Sequence, residues 1–176
     1  MLEKERWETC LGATPLVKGD YIFVYVPFGN DVVYKMACCL AKSLRMRVVV
    51  STYSLRYRVF YPSFHLELAV GPWEFLNLLK NARLVCSGSY HAVIFSVLFQ
   101  VPFFAVRGMQ DNRMREVLKR FHLEERSIDM ESVERKSMDA FNMDFGMATQ
   151  ELNIAREKSM CFLKRALSEN SYAGDM

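Results

Sequence analysis

The sequence predicts an α/β fold built on a doubly wound, mostly parallel sheet, and three observations carry that prediction. Short β-branched and aromatic runs alternate with segments of helical periodicity from Asp20 to Leu123. The runs stay apolar without period-two alternation, as in strands covered on both faces. Turn residues divide them into βαβ units, whose crossovers are right-handed.

The first strand is DYIFVYV (Asp20–Val26), stopped by PFGND, in which Gly29 and Asn30 make the tight turn. A single glycine there is no dinucleotide fingerprint. The helix VVYKMACCLAKSLRM follows, and RVVVST (Arg47–Thr52) completes the first βαβ unit. A less regular segment, Tyr53–Val70, precedes Gly71-Pro72, where proline suits the first turn of a helix through WEFLNLLKNA. RLVCS is then a strand, SYHAVIFSVLFQ a helix, VPFFAV a strand, and DNRMREVLKRFHL an amphipathic helix entered through an Asp/Asn cap.

Residues 1–126 are therefore expected to form one Rossmann-like domain, and 127–144 a polar linker or short helix with little core of its own. Residues 145–168 form a C-terminal helix with Leu152, Ala155, Met160, Leu163 and Leu167 near one side, and 169–176 a flexible tail.

Composition bounds the function. With 176 residues, 51% hydrophobic and 24% charged, the chain is that of a packed globular protein. Its net charge of +3 arises from 23 basic and 20 acidic residues mixed along the sequence, so nucleic acid is not an expected partner. Five cysteines without a CxxC pair argue against a disulfide framework and a zinc site, and are expected as reduced, mostly buried thiols. The charged start MLEKERWETC lacks the apolar core of a signal peptide, so the cytoplasm is the expected compartment, with at most peripheral contact at the inner membrane face. The most apolar stretch, Leu84–Val106, is cut by Gln100 and Pro102 well short of the roughly 20 residues of a spanning helix, so an integral membrane protein is not expected.

Within that stretch, CSGSYH stands where a strand end meets a helix start, the edge at which open parallel sheets bind ligands. With Ser89 as cap, Tyr90 and His91 fall in the first turn, where unpaired N–H groups and the helix dipole favour an anion. His91 could hydrogen-bond that anion or donate a proton. From spacing alone, a helix-start histidine bonded to a neighbouring loop is the simpler account.

Ser89-Tyr90-His91-Ala92 followed by VIFSVLFQVPFF resembles the polysaccharide pyruvyl transferase family, whose members carry a Ser-Phe-His-Gly or Arg-Leu-His-Ala type motif before an apolar helix and a Pro-Phe strand. The likeness extends to DYIFVYV, GPWEFLNLLKNARLVCSGS, NRMREVLKRFHLEER and AREKSMCFLKRAL. It is similar to the C-terminal half only of a protein with two Rossmann-like halves arranged as in GT-B glycosyltransferases. The last helix is similar to one that packs back toward the first half.

The resemblance implies transfer of a pyruvyl group from phosphoenolpyruvate to a sugar of a cell-surface or exopolysaccharide as a ketal, on a lipid-linked or free glycan acceptor. An N-terminal half or a second copy would complete the cleft, and no cofactor or metal is implied beyond phosphoenolpyruvate as donor. On this resemblance His91 is the acid or phosphate contact, with Ser87, Gly88 and Ser89 supplying hydroxyl and backbone donors. Tyr90 could stack on a sugar, and Arg107 and Arg113 could reach the crevice, although helix packing for Tyr90 and solvated charges for the arginines account for them as simply. This chain has no arginine directly before its Tyr-His pair, and Ala92 stands where the nearer branch has glycine.

The alternative is a non-catalytic binding or interaction module, or a glycosyltransferase-like domain holding a phosphorylated ligand. TYSLRYRVFY interleaves Arg56 and Arg58 with Tyr53, Tyr57 and Tyr61; it is expected as an amphipathic edge strand, and second as a rim of the donor cleft. His65 and His122 are expected to be structural or surface residues.

Overall fold

In the computed structural model, which describes residues 3–12, 14–26, 31–52, 56–68 and 70–170, the apolar runs pair into a single parallel sheet. Its strands are β1 (Tyr21–Tyr25), β2 (Arg47–Thr52), β3 (His65–Leu68), β4 (Leu84–Ser87), β5 (Phe103–Val106) and β6 (Ser127–Ile128). The spatial order is β3-β2-β1-β4-β5-β6, with every neighbouring pair parallel. The direction of winding reverses between β1 and β4, so a crevice opens beyond their carboxyl ends.

The absence of alternation in these strands has the anticipated cause. Along β1, Tyr21 and Phe23 enter one apolar layer while Ile22 and Val24 enter the other, and all four are buried. The first layer is completed by α4 (Pro72–Lys80), α5 (Tyr90–Phe99) and α6 (Asn112–Arg120), through Leu76, Leu79, Val93, Val97 and Leu118. The second is completed by α2 (Asp31–Leu44) through Val33, Met36 and Leu40, and by Val133 of α7 (Val133–Ser137). Each such side chain contributes about 1.5–3 kcal/mol relative to exposure, so two layers on one sheet are a sufficient core.

Two further helices flank these layers. α1 (Lys4–Leu11) sets Trp7 edge-on to Phe95 at 5.5 Å between ring centres. α8 (Gly146–Asn170) buries Ala148 and half-buries Leu152, then continues with Met160, Leu163 and Leu167 exposed. Helix α5 stops where the sequence indicates: Gln100 takes a left-handed conformation at φ 56° and Pro102 follows. Among the described residues no helix is long and apolar enough to cross a membrane.

The structure corrects three expectations. The TYSLRYRVFY segment is no edge strand: Arg56–Phe60 forms a short helix, α3, and the edge strand β3 lies beyond it at His65–Leu68. Tertiary packing decides this, because Tyr61 leaves the helix to stack on Tyr34 at 5.3 Å and on Phe64 at 5.1 Å. Tyr53, like Gly29 and Asn30, lies outside the described residues.

The segment 127–144 also has core of its own. Ile128 and Val133 are buried with α2, Ala140 joins them, and Ser127–Ile128 pairs with Ala105–Val106 as the sixth strand. A two-residue strand and three scattered apolar positions leave no periodicity to detect. Of the cysteines only Cys86 is buried; Cys38 and Cys39 are half-buried, and Cys10 and Cys161 are exposed.

Candidate functional site

The crevice is assembled from the ends of β1 and β4, which stand side by side with Tyr25 opposite Ser87. The Ser87 hydroxyl donates to the Tyr25 carbonyl at 2.5 Å and accepts the Ser89 N–H at 3.0 Å. That bond folds the backbone through the exposed Gly88 and starts α5 directly above the strand end. Ser89 is extended at φ −91°, ψ 127°, its carbonyl accepts the Val93 N–H at 3.2 Å, and its hydroxyl makes no capping bond. The first-turn N–H groups of Tyr90, His91 and Ala92 are thus left without a side-chain cap, the arrangement that favours an anion.

His91 is exposed on this turn. Its ring meets the Tyr90 ring edge-on at 5.7 Å, and among the described residues it makes no hydrogen bond, so the expected bond to a neighbouring loop is not formed there. Instead His91 lies on the rim of a cavity of about 300 Å³ lined by Tyr25, Val70, Gly71, Pro72, Phe75 and Phe95.

The walls of this cavity follow from chain geometry. Tyr25 is the last residue of β1, and Gly71-Pro72 begins α4, so both stand at the carboxyl edge of the sheet. Phe75, one turn into α4, packs on Tyr25 at 4.6 Å and edge-on to Phe95 of α5 at 6.3 Å. Three aromatic rings therefore surround the space beneath the histidine. Sequence reasoning placed these residues on the right elements and missed their convergence. The available clue was that a strand-end tyrosine and a proline-initiated helix both belong to the ligand-binding edge.

The other anticipated residues separate into those at the crevice and those away from it. Ser87 is fully buried with its proton committed to Tyr25, so it shapes the site and offers a ligand little. Gly88 and Ser89 form the turn. Tyr90 is 40% exposed and is not part of the cavity wall. Arg107 follows β5 at a left-handed φ of 52°, donates its backbone N–H to Ile128 at 2.8 Å and is exposed, outside the cavity wall. Arg113 is exposed in the first turn of α6, also outside it. Cys86, one residue before Ser87, is sealed in the core, and burial pushes its thiol up to about 12, which removes it as a nucleophile.

A family model described as polysaccharide pyruvyl transferase matches residues 19–108, just over half of the chain. The chain belongs to the polysaccharide pyruvyl transferase family. The matched span runs from the residue pair before β1 to the turn after β5, and so contains every wall of the pyruvyl transferase crevice described above. No curated protein matches the chain. Among solved structures, a UDP-GlcNAc 2-epimerase from Methanocaldococcus jannaschii, in complex with UDP-GlcNAc and UDP, is similar with a TM-score of 0.54 and 18% identity. The likeness covers 80% of this chain and 45% of the epimerase, so this pyruvyl transferase family member shares its fold over less than half of that protein's length.

Proposed function

We propose that this chain forms the donor-binding half of a polysaccharide pyruvyl transferase that moves the enolpyruvyl unit of phosphoenolpyruvate onto a sugar. In this reading the anionic groups of the donor sit at the uncapped first turn of α5, and His91 delivers a proton to the methylene carbon. Positive charge then develops at the carbon bearing the carboxylate and phosphate. One sugar hydroxyl adds there and its proton returns to His91; the C–O bond to phosphate then breaks, and a second hydroxyl of the same sugar closes the ketal, its proton passing to the departing phosphate. The acceptor is a glycan of a cell-surface or exopolysaccharide, and the reaction belongs in the cytoplasm.

The observation that carries this proposal is the position of His91: exposed, without a hydrogen bond among the described residues, on the uncapped turn at the switch point of a chain of this family. A second Rossmann-like unit, in the same or another polypeptide, would close the crevice and bring the acceptor.

Calorimetric titration of phosphoenolpyruvate into the wild type and His91→Ala, alone and with such a unit, tests the reading. Saturable binding to the wild type, weakened about tenfold or more in the variant by loss of a charge-assisted hydrogen bond, is expected. No binding in any combination would refute it.

One observation favours a second reading. Among the described residues, and apart from His91, the cavity wall carries no ionisable side chain but the Tyr25 phenol, and its aromatic surfaces suit a flat ring joined to a phosphate better than they suit a small trianion. A glycosyltransferase-like domain holding such a ligand would bind UDP, the ligand named for the similar epimerase, and not phosphoenolpyruvate. Titration of both compounds separates the two readings.

A further inference from the structure

Helix α3 presents two adjacent large apolar side chains to solvent, Val59 at 79% and Phe60 at 70% exposure. The residues that follow are fixed. Tyr61 lies between Tyr34 and Phe64, with interplanar angles of 21° and 14°, so the tip is held by an aromatic stack against α2. A residue pair exposed by disorder needs no explanation, but one held outward by its neighbours does.

The charges around it point one way. From Val32 to Leu66 the sequence has six Lys and Arg residues and none of the chain's 20 acidic ones. Mixing of charge therefore holds for the chain as a whole and fails here. Lys42, Arg45 and Arg47 stand at the far end of α2 and the start of β2, away from the tip. Lys35 adjoins Tyr34 of the stack and Arg58 adjoins Val59; both are exposed, and neither makes an ion pair among the described residues. Arg56 begins the same short helix.

We infer that α3 docks this protein on an anionic bilayer surface, with Val59 and Phe60 entering the boundary between headgroups and acyl chains and Lys35 and Arg58 meeting the lipid phosphates. Amphipathic cations of this kind keep their charge in the headgroup layer while their stems cover apolar surface. A protein partner would require an acidic face of matching shape, whereas a bilayer requires only an apolar tip flanked by cations unpaired among the described residues, as Val59 and Phe60 are by Lys35 and Arg58. Because α3 follows the carboxyl end of β2, docking sets the ligand-binding edge of the sheet near the membrane, whatever the crevice holds.

Flotation of the full chain with vesicles tests this, using phosphatidylcholine alone and phosphatidylcholine with about one third phosphatidylglycerol. The wild type is expected to float with the mixed vesicles and not with the neutral ones. Val59→Ser/Phe60→Ser should reduce the bound fraction about tenfold through lost apolar transfer. Arg58→Glu should weaken binding independently, and salt should weaken it further. Unchanged melting temperatures would show that both variants fold. Equal or absent flotation of the wild type on the two compositions, or variants that float like the wild type, would overturn the inference. So would absent flotation combined with a changed elution volume of the double variant, which would assign the tip to a protein interface.

Discussion

The hydroxyl of Ser87 donates to the carbonyl of Tyr25 at 2.5 Å, joining the ends of β1 and β4 at the one place where the sheet reverses its winding. The same oxygen accepts the Ser89 N–H at 3.0 Å, so a single buried side chain links both strands to the start of α5. Its place in the motif is positional. The proton that a ligand would want is already used in holding the turn.

Ser87→Ala is therefore expected to damage fold and site together. Loss of these two buried bonds costs about 1–3 kcal/mol, which in a chain of this size lowers the melting temperature by roughly 2–4 °C per kcal/mol. Thermal unfolding followed by circular dichroism measures the first effect, and titration with phosphoenolpyruvate the second. A variant of unchanged stability that had lost only ligand binding would instead make Ser87 a direct ligand contact.

Arg126 is the most consequential residue outside the crevice. It is 4% exposed, and its guanidinium donates to the carbonyls of Phe103 at 2.8 Å, Ala140 at 2.8 Å and Asp139 at 3.3 Å while lying over the Phe104 ring at 4.4 Å. Burial pulls its pKa below the usual arginine value, with Glu125 and then Asp139 opposing. Arg126→Met should cost about 3 kcal/mol or more, since three carbonyls lose a charged donor. Arg126→Lys should rescue little, because one ammonium lacks the planar fork that reaches three acceptors. Denaturant unfolding measures both, and cleavage within 127–144 under limited proteolysis should rise in parallel.

That residue also shows where sequence reasoning loses sight of the fold. The strands β1, β2, β4 and β5 and the helices α2, α4, α5 and α6 announce themselves through apolar runs and helical periodicity, and the turn CSGSYH was legible because a small polar cluster interrupts the most apolar stretch. Between Arg126 and α8 the core of the second layer depends on Ile128, Val133 and Ala140, three positions among polar neighbours, and on a buried cation that looks like a surface charge. Periodicity carries no trace of either. The crevice was half legible for a related reason: its histidine lies in a local motif, but its walls join β1, α4 and α5, segments up to about seventy residues apart whose convergence only the sheet order supplies.

Acid should weaken the same C-terminal segment. The Asp129 carboxylate accepts the Ser132 hydroxyl at 2.7 Å, the Ser132 N–H at 2.8 Å and the Glu131 N–H at 3.2 Å, and the Ser132 bonds foremost hold its pKa below the ordinary value. A depressed folded pKa stabilises the protein above the unfolded value of about 3.9, and this contribution disappears as the pH falls through the folded value. Asp129→Asn should therefore melt lower than the wild type at neutral pH, by less than about 1 kcal/mol for so exposed a group, and the gap should close below about pH 4. Melting curves across that range give the answer; a gap independent of pH would remove the carboxylate as its cause.

Two glycines at the carboxyl edge of the sheet should respond to alanine in opposite ways. At Gly108 an added Cβ would lie 2.7 Å from Leu118 Cδ1, 2.9 Å from Ala105 Cβ and 3.3 Å from Met114 Cγ, all on buried residues, so α6 would have to move off the end of β5. Gly108→Ala should cost about 1–3 kcal/mol by overpacking. At Gly88 the same atom would meet only the Val106 carbonyl at 3.8 Å and Val33 Cγ2 at 4.0 Å, which is ordinary contact. Gly88→Ala should leave the melting temperature nearly unchanged while crowding the exposed turn before the uncapped end of α5. If an anion sits there, phosphoenolpyruvate titration should show weaker binding to Gly88→Ala at full stability, whereas Gly108→Ala should lose stability first. Equal ligand affinity in Gly88→Ala and the wild type would show that the ligand does not approach that turn closely.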